Sequence, residues 1–231
     1  MVQSYSGGHL FHQLRAAADV AECFGSGEVR TTIMQNLLVP NVPERHADAV
    51  VRGLHDAGLR TAASPFFRGT IACTGTEFCK LAITETKSFS RWLVEELDRR
   101  LPEYSEQLKI HVTGCPNSCG QHWIADLGIE GKKVRVGGQL VDAYYFCVGG
   151  AVGLHASIAR PVGYRCPASE VPDAIERLLR AFDRDRTRGE SLRQFFTRHS
   201  NDEIRALLAG ASVDAEERDA SPGRVPHGVE G

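Results

Sequence analysis

Apolar side chains return at helical intervals near the start of the chain. Leu10, Leu14, Ala17, Ala18 and Ala21 share one face of a helix predicted over residues 9–24, which Gly25 and Gly27 end. Residues 28–39 alternate enough to predict a strand. Pro43 sits where the first turn of a helix tolerates proline; Val50, Val51 and Leu54 are that helix's expected buried face, and Gly58 its stop. Residues 59–72 read as extended, with a break at Pro65. The order helix, strand, helix, strand predicts a small α+β unit.

Further along, Phe89, Trp92, Leu93 and Leu97 recur at the spacing of a helix over residues 84–101, closed by Pro102. A short strand over 108–112 runs into Gly114-Cys115-Pro116-Asn117. Two more extended stretches follow at 124–136 and 140–148, with Gly131, Gly137 and Gly138 as turn signals, and Gly149-Gly150 opens a loop. Residues 172–182 and 192–199 read as helices, and Asn201 is placed to cap another that runs to 208. From 209 to 231 the chain turns polar with almost no large apolar residue, the composition of a disordered tail. The pattern shows no short repeat of solenoid type.

Composition bounds what such a chain does. At 231 residues, with 42% hydrophobic side chains, a core needs no disulfide staples, since a chain of this size buries roughly 70–75% of its unfolded surface. No apolar run approaches the ~20 residues of a membrane span, and residues 1–8 lack a basic segment followed by an apolar stretch, so the cytoplasm is the expected compartment. With 27 basic and 29 acidic residues the net charge of −2 argues against nucleic acid as a partner, because phosphate-backbone binding needs basic excess. Seven cysteines, an odd number, point to metal or redox chemistry rather than to a complete disulfide framework.

Four of those cysteines form two close pairs, Cys73 with Cys79 (C-x5-C) and Cys115 with Cys119 (C-x3-C). Four thiolates in two glycine- and proline-bearing loops make a metal-site count. Zinc knuckles use C-x2–4-C, which the wider pair fits poorly, whereas iron–sulfur clusters accept wider spacings; the spacing favours a 4Fe-4S cluster over zinc or chance core thiols. Residues 77–87 read as a helix whose first turn holds Cys79, where free N–H groups favour thiolate. Cys147, in the apolar run Tyr144-Tyr145-Phe146-Cys147-Val148, and the isolated Cys23 and Cys166 read as structural.

The flanks of the pairs carry a resemblance. The stretch from Ala72 through Cys73-Thr74-Gly75-Thr76-Glu77-Phe78-Cys79 to Ile83-Thr84-Glu85-Thr86-Lys87, and Thr113-Gly114-Cys115-Pro116-Asn117-Ser118-Cys119-Gly120-Gln121 with Ala125-Asp126-Leu127-Gly128, resemble the sirohaem/4Fe-4S signature of nitrite and sulfite reductases. Residues 30–37 resemble the family's ferredoxin-like half-domain and residues 189–198 its closing helices, so the resemblance covers about residues 5–205. It implies an α+β fold, a ferredoxin-like half-domain at 1–66 followed by a nitrite/sulfite reductase-type sheet-and-helix domain at 67–208, with 209–231 as the tail. It also implies that Cys73, Cys79, Cys115 and Cys119 hold one 4Fe-4S cluster and that Cys119 bridges to a sirohaem iron. Gln35 and Asn117 then fall at cofactor-binding positions.

The implied activity is reduction of nitrite to ammonium with electrons from a ferredoxin-type donor, with sulfite to sulfide as the alternative; the residues around Cys73–Lys87 and the Asn117-Ser118 pair favour nitrite. The resemblance implies two copies of this unit in ferredoxin-dependent members, and the match is to the second, cysteine-bearing copy. A homodimer, a cluster-carrying half that needs a separate first-half chain, or a truncated product with weak or no turnover are the expectations that follow. Met34 stands where the first copy has arginine before the glutamine. Arg68 and Lys87 are the candidate substrate cations, each weighed against an ordinary surface role. His111 and His122 flank the second pair and read as supporting residues, since four thiolates complete a cluster. The arginine-rich stretch 177–188 is a candidate docking patch for an acidic donor, or a solvated helix face.

Overall fold

A computed structural model describes residues 11–210 of the chain. The element order is α1 (Phe11–Phe24), β1 (Arg30–Thr31), β2 (Leu37–Leu38), α2 (Ala47–Asp56), α3 (Pro65–Gly69), β3 (Thr70–Ala72), α4 (Lys87–Arg100), β4 (Ile110–Thr113), β5 (Leu127–Val136), β6 (Gln139–Val148), β7 (Arg160–Pro167), α5 (Val171–Asp185), α6 (Leu192–Arg198) and α7 (Asn201–Ala209). Residues 28–39, expected as one strand, form instead an antiparallel β1–β2 ribbon, Arg30 opposite Leu38 and Thr31 opposite Leu37. The turn between them contains Gln35 in the left-handed conformation (φ 58°), with the Asn36 N–H donated to Thr32 Oγ1 at 3.2 Å. Ala17, Val20, Leu37, Val50, Leu54 and Leu59 close a small core around this ribbon, while Val51 faces out.

The larger body is a five-stranded sheet in the order β3-β4-β5-β6-β7. β3, β4 and β5 run parallel, β5–β6 and β6–β7 antiparallel. β5 and β6 are ten-residue strands joined at Gly137 and Gly138, both at positive φ, the backbone that a tight hairpin requires. Gly131, expected as a turn, lies inside β5. One face of the sheet, including Leu127, Ile129, Tyr144, Phe146 and Val148, packs with Leu93 and Leu97 of α4 and Ile175, Leu178, Leu179 and Phe182 of α5. Tyr144 stacks on Phe89 with ring centroids 4.2 Å apart, and Arg100 of α4 pairs with Asp173 and Glu176 of α5.

Two elements escaped the pattern. α3 forms because Ser64 Oγ accepts the Phe67 N–H at 3.0 Å and Pro65 occupies its first position, so the expected break at Pro65 is a helix start. β7 lies in a stretch read only as loop; its Pro161 and Gly163 obscure the alternation. α7 is capped by Ser200 in a capping box, not by Asn201, whose side chain instead donates to Pro161 O at 3.1 Å. Ala209, expected to open the tail, completes α7, and the rest of that expected tail, residues 211–231, lies outside the described residues. No helix among the described residues is long and apolar enough to cross a membrane.

Leu178→Ala, at a fully buried α5 position, is expected to cost about 2–5 kcal/mol and to lower the urea midpoint clearly. Leu154→Ala, at an exposed loop tip, should move the midpoint by no more than about 0.5 kcal/mol equivalent.

Candidate cluster site

The parallel pairing of β3 with β4 sets Ala72 opposite Val112. Cys73 directly follows β3, and Gly114-Cys115 directly follows β4, so both cysteine loops leave the carboxyl ends of neighbouring strands, where parallel sheets leave room for ligands. The Cys73 N–H extends the ladder to Val112 O at 3.0 Å. The first loop then folds back onto the second: Gly114 O accepts the N–H groups of Ile83 (2.7 Å) and Thr84 (3.3 Å), while the Gly114 N–H donates to Cys73 Sγ at 3.2 Å. A methyl group at Gly114 would sit 2.9 Å from Thr84 O, and one at Gly131 would sit 2.1 Å from Thr84 Oγ1, so glycine at both positions is what lets the loops touch.

The far end of the first loop is tied as firmly. Glu85 accepts the N–H groups of Ser88 (3.0 Å) and Phe89 (2.8 Å), which caps α4, and its own carbonyl receives the Tyr144 hydroxyl from β6. Thr86 Oγ1 donates to Cys73 O at 2.7 Å and lies 3.7 Å from Cys73 Sγ. Residues 77–87 are therefore loop rather than the expected helix: a 3-10 turn over Gly75–Glu77 precedes Cys79, whose N–H donates to Gly75 O at 3.0 Å, and the helix begins only at Lys87. Cys115 is buried and Cys119 exposed. Lys87 Nζ lies 5.1 Å from the centroid of the Phe78 ring, next to Cys79, on the cysteine side.

Asn117 is exposed and makes none of the hydrogen bonds that order the second loop. Ser118 does that: its N–H donates to Cys115 O (3.4 Å), its carbonyl accepts the Gln121 N–H (2.7 Å), and its hydroxyl bonds His122 Nδ1 (2.8 Å). His111 Nδ1 bonds Gln121 O at 3.0 Å. Burial pushes both histidines below the ordinary imidazole value. Glu130 Oε2 lies 3.4 Å from His122 Nε2 without hydrogen-bond alignment; the carboxylate's charge is met by Lys132 at 2.5 Å.

Arg68 is not brought to these loops. It precedes β3 and lines a cavity of about 350 Å³ with Met34, Gly69, Gln107, Lys109 and Asp126, at the amino ends of the parallel strands. Gln35, beside Met34, is exposed on the β1–β2 turn, and no described contact joins it to the cysteines. The arginines of α5 are engaged close to home: Arg177 donates to Leu208 O at the end of α7, while Arg180, Arg184 and Arg186 meet Glu176, Asp185 and Glu106. Among the described residues no three His, Cys, Asp or Glu side chains converge on a single metal ion. Four irons carrying one thiolate each need no such convergence. An N–H donor on Cys73 Sγ, with Thr86 Oγ1 close by, is the kind of contact that tunes cluster-bound sulfur, and the donor set fits a 4Fe-4S group. The contacts that Thr86, Gly131 and Ser118 make here were not legible in the sequence, because their partners lie far along the chain or depend on the loop's backbone.

Residues 64–214 match the family model of the nitrite and sulphite reductase 4Fe-4S domain, and residues 6–57 that of the nitrite/sulfite reductase ferredoxin-like half domain. The chain is 38% identical over 203 residues to the assimilatory ferredoxin-dependent nitrite reductase of Haloferax mediterranei, covering 86% of this chain and 34% of that protein. It is 36% identical over 198 residues to a ferredoxin sulfite reductase of Mycobacterium tuberculosis, covering 83% of this chain and 36% of that one. The structure of the Mycobacterium tuberculosis NirA protein superposes with a TM-score of 0.82 at 33% identity, covering 88% of this chain and 38% of that chain. The chain thus spans about a third of the length of the curated relatives it matches. A dissimilatory sulfite reductase I, at 12% identity and a TM-score of 0.69, covers 99% of this chain and 72% of that one and shares the fold.

Maleimide at neutral pH should label the exposed Cys23 and Cys119 of the metal-free chain first. Cys147 and Cys166, pushed up to about 12 chiefly by burial, should stay unlabelled until urea unfolds the chain. Because both thiols are raised above the ordinary value of about 8.5, the stability they contribute is complete below that pH and is lost as pH climbs towards 12, which alkaline denaturation followed by circular dichroism would register.

Proposed function

The chain belongs to the nitrite and sulphite reductase family, and on that premise we propose that it carries the cluster-bearing side of a reductase that converts nitrite to ammonium with electrons from a ferredoxin-type donor. The supporting observation is the pair of cysteine loops at the carboxyl ends of β3 and β4, locked together through Gly114. In this reading residues 1–66 and 67–208 are the two working parts. Cys73, Cys79, Cys115 and Cys119 hold a 4Fe-4S cluster, and Cys119, the exposed thiol of the second pair, also reaches a sirohaem.

A coupled centre held by these residues would supply single electrons beside the substrate, which a six-electron reduction needs. The chain's own residues hold and orient it. Gly114 and Thr86 fix Cys73, while the Glu85 cap and the Tyr144 hydroxyl anchor the end of the first loop. Lys87, over the Phe78 ring beside Cys79, is the cation we assign to macrocycle carboxylates or the substrate anion. Arg68 lies at the other end of the strands, and its assignment to the substrate anion rests on the sequence resemblance alone. Gln35 and Asn117 are assigned to the cofactor on the family motif alone. The motif flanks favour nitrite over sulfite, while the sulfite reductases at similar identity keep sulfite as the second substrate to test.

Anaerobic reconstitution of the full chain should give acid-labile sulfide and sirohaem absorption bands. Turnover with reduced methyl viologen should then favour nitrite over sulfite, and Lys87→Ala should lower kcat/KM for nitrite by roughly 10-fold or more, the order of a lost charge contact. Zinc without iron, or a preference for sulfite, would contradict the reading at its first or its last step.

A further inference from the structure

The second cysteine loop takes an expensive path. Across residues 118–121, Ser118 (φ 58°) and Gln121 (φ 55°) are both in the left-handed region, which side chains with a Cβ avoid. Between them, a methyl group at Gly120 would lie 2.3 Å from Val112 O, so the chain cannot relax there by shifting toward β4. Cys119 sits inside this stretch. A backbone held in that form needs something outside itself to hold it.

Each strained residue is bonded to a buried histidine. His111, 2% exposed in β4, bonds Gln121 O through Nδ1 at 3.0 Å; a carbonyl only accepts, so this nitrogen carries the proton. His122, 1% exposed and tilted against the Trp123 ring, bonds Ser118 Oγ through Nδ1 at 2.8 Å. The two rings come from opposite sides of the loop in sequence, one from the strand before it and one from the 3-10 turn after it. A third hydrogen bond, Gln121 N–H to Ser118 O at 2.7 Å, closes the turn between the two braced residues.

We infer that His111 and His122 are positioning residues: they hold Ser118 and Gln121 in the left-handed conformation and so present Cys119 in the place a cluster requires. This rests on the cluster reading above. Neither imidazole need touch metal. Burial favours the neutral ring, and the Gln121 carbonyl selects its Nδ1–H tautomer. Ordinary core histidines would fill the same space but would not depend on the backbone of their partners, and that difference can be measured.

The test uses the full chain, reconstituted anaerobically with iron and sulfide. Its readouts are iron and labile sulfide per chain, the electron paramagnetic resonance of the reduced cluster, and the melting temperature of the metal-free protein. His122→Phe keeps the ring and removes the bond, and should weaken iron retention against a chelator by roughly 10-fold, the low end for lost outer-shell support. His122→Asn, whose amide mimics Nδ1, should retain more of it than His122→Phe. Glycine relieves left-handed strain, so Ser118→Gly combined with His122→Phe, and Gln121→Gly combined with His111→Phe, should recover iron retention and the native resonance. Wild-type retention in His122→Phe, or double variants no better than the single ones, would overturn the inference. A wild-type chain that takes up no iron would overturn the cluster reading itself, a separate failure.

Discussion

The site depends on one pairing. β3 has only three residues, yet its parallel register against β4 puts the residue after Ala72 and the loop after Thr113 side by side. Without that register, two cysteine pairs separated by 35 residues of chain have no reason to meet. The contact is then sealed at Gly114, whose carbonyl takes two N–H groups from the first loop and whose own N–H points at Cys73 Sγ. Backbone, not side-chain variety, does most of this, which is why glycine at 75, 114 and 131 is needed where a methyl group would collide with Thr84 or Thr86.

Around that contact the molecule spreads its support widely. β6 reaches over with the Tyr144 hydroxyl on Glu85 O and with Asp142, whose carboxylate accepts the Glu85 N–H at 3.3 Å. Tyr144 is in turn fixed by its stack on Phe89 and by the core beneath the sheet, an arrangement worth about 0.5–1.5 kcal/mol beyond burial alone. The loops are thus coupled to the core through a few buried residues. The cavity that holds Arg68 and Met34 lies at the other end of the same strands.

The fold was legible wherever a periodic face was long: α1, α2, α4, α5 and the β5–β6 pair were readable from spacing and glycine signals. It was illegible where capping or pairing decided, as at α3, which a single Ser64 hydroxyl and Pro65 start, and at β7, whose proline and glycine break the alternation that its neighbour β6 stabilises. Similar causes divided the site. The four cysteines announce themselves by spacing, but the helix expected over Cys79 fails because the Ile83 and Thr84 N–H groups go to Gly114 O rather than to carbonyls four residues back. Arg68 looked close to Cys73 in sequence; a strand runs between them.

Mössbauer spectroscopy of the full chain reconstituted with isotopically enriched iron tests the central claim most directly. If the loops at the ends of β3 and β4 hold one cluster, the spectrum will show a single coupled four-iron species, and Cys115→Ser will abolish it together with Cys73→Ser. Isolated iron sites, or a coupled cluster that survives loss of either loop's cysteine, would contradict it.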